Sequence, residues 1–250
     1  MLLEKNSMII TMKKYFLNEL LILIFICFSL CHVNAYALCN GWNNSICTKY
    51  GSITISDYII INNIWNANNF PDGYTYQQCI CYNANKLKLS EIGWEWDFPK
   101  ISDTDNMVKT YPKIMYGYRY WNNATTTEML PLKLSKLSNI SIVSAFSVNF
   151  NFSGSANLAY DIWITDDHEP NENDRVYEIM IWLDHKEMNT GGSKIDDIKI
   201  DGITYEVWKK IKEKWAYYAF VSQESIHNHD NISIHRYIEY LIHNNLVDVA

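Results

Sequence analysis

Positive charge is in short supply in this chain. Its 250 residues carry 21 Lys and Arg against 28 Asp and Glu, a formal net charge of −7. A protein that grips a phosphate backbone needs the opposite balance, so nucleic acid is not an expected partner. Helical periodicity is scarce. Beyond the N-terminus no apolar run approaches the ~20 residues that span a bilayer. Repeats, low-complexity stretches and linkers are absent, and residues 36–250 are expected to form one domain. A zinc signature is missing as well. Cys79-Ile80-Cys81 is a C-x-C pair without the spacing or the nearby histidines of a zinc site. No cofactor or metal is expected.

The N-terminus is built to be removed. Met12-Lys13-Lys14 is a short basic start, Leu20 to Leu30 is apolar, and Val33-Asn34-Ala35 offers small or short residues at a cleavage site. This is the layout of a secretory signal peptide over residues 1–35. The eleven residues before Met12 read as the product of an upstream start codon rather than as structure. The expected product is exported, free of the membrane after processing, and monomeric. Cys27 and Cys31 leave with the leader, so Cys39, Cys47, Cys79 and Cys81 remain. An even count in an exported protein reads as disulfides, with three possible pairings. Cys79 and Cys81 cannot close on each other without strain. If they lie on a strand, they are expected on opposite faces, each bonding a different N-terminal cysteine.

What is abundant is aromatic: 9 Trp, 18 Tyr and 9 Phe. Indole rings are common platforms for flat apolar faces. Period-two alternation is also abundant. Ser147–Phe152, Asn157–Ile164 and Val176–Leu183 alternate along their length, and Tyr58–Ile61, Lys199-Ile200 and Tyr217–Val221 read as further strands. Turn-rich separators lie between them, which predicts an all-β sandwich or barrel. One segment departs from this pattern. Ile234–Leu246 places its apolar residues at helical spacing, with Asp230 or Ser233 as candidate caps.

The strand Val176–Leu183 carries the chemistry. One face is Tyr177, Ile179, Ile181 and Leu183; the other presents Glu178, Met180 and Trp182, spaced about 7 Å apart by strand rise. Asp161 lies beside Trp163 on the polar face of the preceding strand. Two carboxylates on neighbouring strands can raise one pKa and orient the other group. A solvent-facing edge explains a lone Glu equally simply.

Longer strings sharpen the choice. Asn62-Asn63-Ile64-Trp65, Gly93-Trp94-Glu95-Trp96, Val108-Lys109-Thr110-Tyr111-Pro112, Asn157-Leu158-Ala159-Tyr160-Asp161-Ile162-Trp163 and Tyr177-Glu178-Ile179-Met180-Ile181-Trp182-Leu183 occur in this order. They resemble glycoside hydrolase family 12, the secreted endo-β-1,4-glucanases and xyloglucanases. The resemblance implies an antiparallel β-sandwich of the jelly-roll kind, with one late helix and an open groove that binds a β-glucan chain. It implies Glu178 as nucleophile and Asp161 as the carboxylate supporting it. Trp65 would be a stacking platform, Met180 would lie under the sugar at the cleavage point, and Trp182 would line the floor. Asn63 and Trp94 would also touch substrate, with Trp94 and Trp96 equally readable as core. A disulfide between Cys39 and Cys79 is implied. Retaining hydrolysis needs a second carboxylate about 5–5.5 Å from the first. The family carries it on a strand after the late helix, and no matching strand follows here. Glu206, Glu213, Glu224 and Glu239 do not sit in the motif, so the acid/base position is unassigned. A chain short of its last strands, inactive on polymer and with an unpaired sheet edge, is the expectation. A glucan-binding protein without turnover is the alternative.

Overall fold

The computed structural model describes residues 6–9, 38–87, 91–101, 108–119, 124–152, 154–167 and 173–248. Its strands in chain order are β1 (Asn6–Ile9), β2 (Asn44–Ile46), β3 (Ser52–Ile55), β4 (Tyr58–Ile61), β5 (Gln77–Tyr82), β6 (Ile92–Asp97), β7 (Lys113–Met115), β8 (Tyr118–Arg119) and β9 (Ala124–Thr125). There follow β10 (Val143–Ser147), β11 (Asn149–Asn151), β12 (Ala156–Thr165), β13 (Arg175–Lys186), β14 (Ser193–Ile200), β15 (Ile203–Ile211), β16 (Ala216–Ser222), β17 (Asn228–Ser233) and the helix α1 (Ile234–His243).

Two sheets pair face to face in the N-terminal half. The order β3-β4-β7 lies against β11-β1-β6-β5-β2, and Ile60, Ile80, Ile92 and Trp94 fill the space between them. The C-terminal half is the sheet β12-β13-β16-β15-β14. Alternation sends Ile179, Ile181 and Leu183 of β13 to one face, where they meet Tyr205 and Val207 of β15, Tyr218 and Phe220 of β16, and Tyr237, Ile238 and Leu241 of α1. The helix covers that face because its own apolar residues recur every three to four positions. The other face of the sheet is left to Glu178, Met180 and Trp182. The expected antiparallel pairing holds except at β13 and β16, which run parallel, Glu178 opposite Tyr217. The chain leaves β13, crosses to β14 at the far edge, and returns by two hairpins to β16.

Two side-chain networks fix the joints. Asp201 and Gly202 form the two-residue link of the β14–β15 hairpin, both with positive φ (52° and 85°). Such a turn favours residues that tolerate left-handed backbone. The Asp201 carboxylate then accepts the Ser233 N–H at 2.9 Å and Arg236 Nη1 at 2.6 Å, so it tethers the start of α1. Burial opposes its charge, but these bonds outweigh burial and hold its carboxyl below the usual range. Ser233 sits at the cap position, as one of the two expected residues, although its side chain makes no capping bond. In the N-terminal half, fully buried Asn62 donates to the carbonyls of Thr48 and Gln78 and accepts from Gln78 Nε2.

The disulfides correct two expectations. Cys39 bonds Cys81 and Cys47 bonds Cys79, so the Cys39–Cys79 pair does not form. Register explains it. On the antiparallel β2/β5 pair Ser45 faces Cys81 and Ile46 faces Ile80, which brings Cys47 opposite Cys79. Residues two apart on a strand share a face. Cys79 and Cys81 accordingly cluster together with Cys39 rather than pointing apart. Each bond does reach a different N-terminal cysteine, and each closes a loop worth about 4 kcal/mol on a chain-entropy account.

Two further expectations change. The alternating Ser147–Phe152 run is not one strand: β10 pairs with β17, the Val148 N–H turns to the His227 carbonyl, and β11 pairs with β1. Asn6–Ile9, expected to carry no structure, forms β1 between β6 and β11, satisfying the backbone groups of both edges. The leader's apolar run and its cleavage region lie outside the described residues.

Asp201→Ala is expected to lower unfolding stability by about 1–2 kcal/mol, since it orphans the first turn of α1 and strains a left-handed position. Asp201→Asn should cost less. Urea midpoints for the three proteins, at neutral pH, measure the difference.

Candidate active site

The period of two puts the chemistry of β12, β13 and β16 on one side. Trp163 faces Glu178 across the β12/β13 pair and Asp161 faces Met180. The two carboxylates are therefore diagonal neighbours, their Cα atoms roughly 7–8 Å apart. Met180, Trp182, Tyr217, Ala219 and Val221 form the apolar floor, with Ala159, Met188 and Trp208 against it. The Met180 sulfur accepts from Trp182 Nε1 and from the Tyr217 hydroxyl, both at 3.5 Å. The Tyr217 hydroxyl also meets Thr190 Oγ1 at 2.9 Å.

Glu178 is held by the turn that joins β15 to β16. Lys212 Nζ and Trp215 Nε1 each donate to its Oε2 at 2.7 Å. Asp161 accepts from Trp163 Nε1 at 3.3 Å. It keeps solvent contact at the open edge of β12 but is crowded by the walls around it. Desolvation, then the charge of Glu178, push its pKa up to about 6 from an ordinary 3.8, against the pull of Lys113, Trp163 and Lys212. Tyr111 is pushed up to about 12, first by burial and then by the charges of Asp161 and Glu178. Burial lowers the Lys113 ammonium, and Asp161 partly restores it.

The N-terminal half joins this site through its backbone. The Asn63 carbonyl accepts the Tyr111 N–H at 3.0 Å and the Thr110 hydroxyl at 2.8 Å. Asn66 Nδ2 donates to the Val108 carbonyl at 2.7 Å. These bonds set the segment 108–112 beside the carboxylates. Trp65, two residues after Asn63, is 46% exposed next to Tyr50, whose hydroxyl donates to the Trp65 carbonyl.

Glu178, Asp161, Met180 and Trp182 are thus brought together; the Asn63 carbonyl is tied to Tyr111, and Trp65 lies two residues further along that segment, against Tyr50. Trp182 is 3% exposed, so it is part of the floor and not an open stacking face. Trp94 does not reach the site. It is fully buried between the N-terminal sheets, and Trp96 packs against the same core. A strand residue with an apolar layer on its side is core whatever motif surrounds it. Sequence motifs do not single out Lys212, Trp215, Tyr217 or Lys113, and Tyr111 stands in them only as part of a longer string. Lys212 and Trp215 lie 34 and 37 positions from Glu178, and only the sheet order makes them neighbours. Among the described residues, no group of three or more His, Cys, Asp or Glu side chains is placed to hold a metal ion.

A family model described as Glycosyl hydrolase family 12 matches residues 56–250. The chain belongs to that family. Endoglucanase S of Pectobacterium parmentieri is 28% identical over 191 residues, covering 74% of this chain and 67% of the relative. The xyloglucan-specific endo-beta-1,4-glucanase A of Emericella nidulans is 25% identical over 203 residues, covering 79% of this chain and 75% of the relative. Among solved structures, the native family 12 xyloglucanase from Bacillus licheniformis superposes with a TM-score of 0.67 at 25% identity, over 82% of this chain and 87% of that one. The family 12 assignment makes the chain a member of a glycosidase family, and the sandwich is that family's jelly roll.

The raised Asp161 pKa has a sign that can be measured. A carboxyl that holds its proton more tightly when folded stabilises the fold fully below its ordinary pKa of 3.8, and that share is lost as pH rises through about 6. Asp161→Asn, neutral throughout, should flatten this decline. Unfolding midpoints of both proteins between pH 4 and pH 7 test it; parallel curves would refute it.

Proposed function

We propose that this family 12 protein is an exported enzyme that cleaves within β-1,4-glucan chains with retention, using Glu178 as nucleophile and Asp161 as its supporting carboxylate. The observation that carries the reading is Glu178 itself. It is a carboxylate set in the middle of an apolar, aromatic sheet face, opposite Trp163 and diagonal to Asp161. The names of the relatives, endoglucanase and xyloglucan-specific endoglucanase, support the substrate class. A glucan chain would run from exposed Trp65 past Asn63 and Tyr111 to Glu178, over Met180. The unit proposed is one domain over residues 36–250 behind a leader of residues 1–35. Removing the leader takes β1 with it and opens the edges of β6 and β11.

Retention needs a second carboxylate as acid and base. Glu239 lies on α1, across the sheet from Glu178. Glu224 lies past the end of β16, in the bend that brings the Ile226 N–H back to the Leu183 carbonyl, five residues and roughly 17 Å along β13 from Glu178. Glu206 faces Val221, about four residues along and two strands over, and is paired with Lys194 and Trp208. Glu213 is exposed at the hairpin tip. None of these four glutamates stands beside Glu178, so the 250 residues are expected to form an adduct on Glu178 without cleaving polymer; the second reading is a glucan-binding protein that forms no adduct.

One substrate separates the readings. A dinitrophenyl cello-oligosaccharide loses its leaving group without a proton, whereas a sugar alkoxide needs acid help worth about 10²–10⁴-fold. The expected outcome is slow dinitrophenol release, faster with azide, through a covalent adduct on Glu178, and no cleavage of polymer. Glu178→Gln should abolish the adduct while keeping glucan binding, because an amide cannot form the glycosyl ester. A folded parent chain that binds glucan yet never forms the adduct would establish the binding reading.

Trp65→Ala should weaken cello-oligosaccharide binding by about ten- to a hundredfold, the loss of one stacked ring, with little effect on folding. Calorimetric titration beside a thermal melt reads both quantities. Unfolding with unchanged affinity per folded molecule would make Trp65 a structural residue.

A further inference from the structure

The hairpin tip between β15 and β16 is closed by the Lys212 N–H donating to the Trp215 carbonyl at 2.9 Å. Both side chains fold back over the sheet and meet one atom, Oε2 of Glu178, at 2.7 Å each. Neither donor is loosely placed. Lys212 Nζ stands 4.7 Å from the centre of the Trp215 ring and 5.0 Å from that of Tyr217. Trp215 packs edge-on to Trp163 at 5.5 Å, and the Arg175 guanidinium lies 4.9 Å from each of these two rings. Ion pairs between free, exposed side chains contribute little. Here the Glu178 side chain is only 13% exposed, and the cation is fixed by aromatic faces.

We propose that Lys212, together with Trp215, is a positioning residue: it holds Oε2 of Glu178, leaves Oε1 to bond the sugar, and favours release of the sugar over the initial attack. This rests on Glu178 being the nucleophile. In the attack, Oε1 bonds the anomeric carbon, and the bond from that carbon to the leaving oxygen breaks with its electron pair on the leaving group. In the release, an incoming nucleophile bonds the anomeric carbon, and the pair of the carbon–Oε1 bond returns to the carboxylate. Glu178 is a neutral ester between the two steps and an anion before and after. A fixed ammonium at Oε2 stabilises the anion, and an indole N–H adds to it. The same cation therefore makes Glu178 a slower attacker and a faster leaving group. The Trp215 ring and the Arg175 stack supply the rigidity that this selectivity requires.

The experiment follows both steps on the full chain with a dinitrophenyl cello-oligosaccharide. Intact-protein mass spectrometry reads adduct formation, and added azide, which bonds the anomeric carbon through nitrogen without a proton transfer, reads release. In Lys212→Met, formation should be unchanged or faster and azide release slower by about tenfold or more, so the adduct accumulates. Lys212→Arg keeps the charge and should return release toward the parent rate. Trp215→Phe, which removes only the indole donor, should slow release by a smaller factor. Equal losses in both steps, or no change in either, in a folded Lys212→Met protein would overturn the proposal while leaving Glu178 as nucleophile. If parent and variants alike form no adduct although they bind glucan, the nucleophile reading itself fails, and the role of Lys212 falls with it.

Discussion

The structure depends on a single strand having two different sides. Along β13 each residue points opposite to the one before it. Ile179, Ile181 and Leu183 are therefore committed to the core under α1, and Glu178, Met180 and Trp182 to the other face. A slip of one residue would bury the carboxylate and expose three aliphatic side chains, so the register is strongly held. Neighbouring strands inherit that division. Asp161 and Trp163 on β12, and Tyr217 and Ala219 on β16, lie on the Glu178 side because their registers against β13 place them there.

Electrostatics on that face follow from packing. Two carboxylates set diagonally in a crowded cleft cannot both ionise without cost. The protein answers with Lys113 and Lys212 on either side, and with indole N–H groups that reach each carboxylate separately. Tyr111 and Tyr217, raised by burial and by the same charges, stay as neutral hydroxyls and can only donate or accept hydrogen bonds there. The N-terminal sheets serve this arrangement from a distance. The buried Asn62–Gln78 pair and the Thr110 bonds hold the Asn63–Trp65 segment and the 108–112 segment in one frame.

Much of this was legible in the residues. Alternation located β12 and β13, and short runs located β4 and β16, to within a residue or three, and helical spacing found α1. The strand of Glu178 stood out because a carboxylate, a thioether and an indole in line on one face have no place in an ordinary core. Motif likeness misled at Trp94, since a string of residues does not say which layer lies above it. It misled also at Cys39, because a disulfide partner is chosen by strand register, and a cysteine spacing alone leaves that register open.

The sequence by itself determined the fold class, the late helix and the placing of Glu178 and Asp161 on one face of neighbouring strands. These follow from side-chain period and residue type, which are local properties. Only the tertiary structure decided which cysteines meet, that β13 and β16 run parallel, and that Lys212 and Trp215 grip Glu178. Those contacts join residues more than thirty positions apart, and they exist because hydrogen-bonded register and sheet order bring the far segments together.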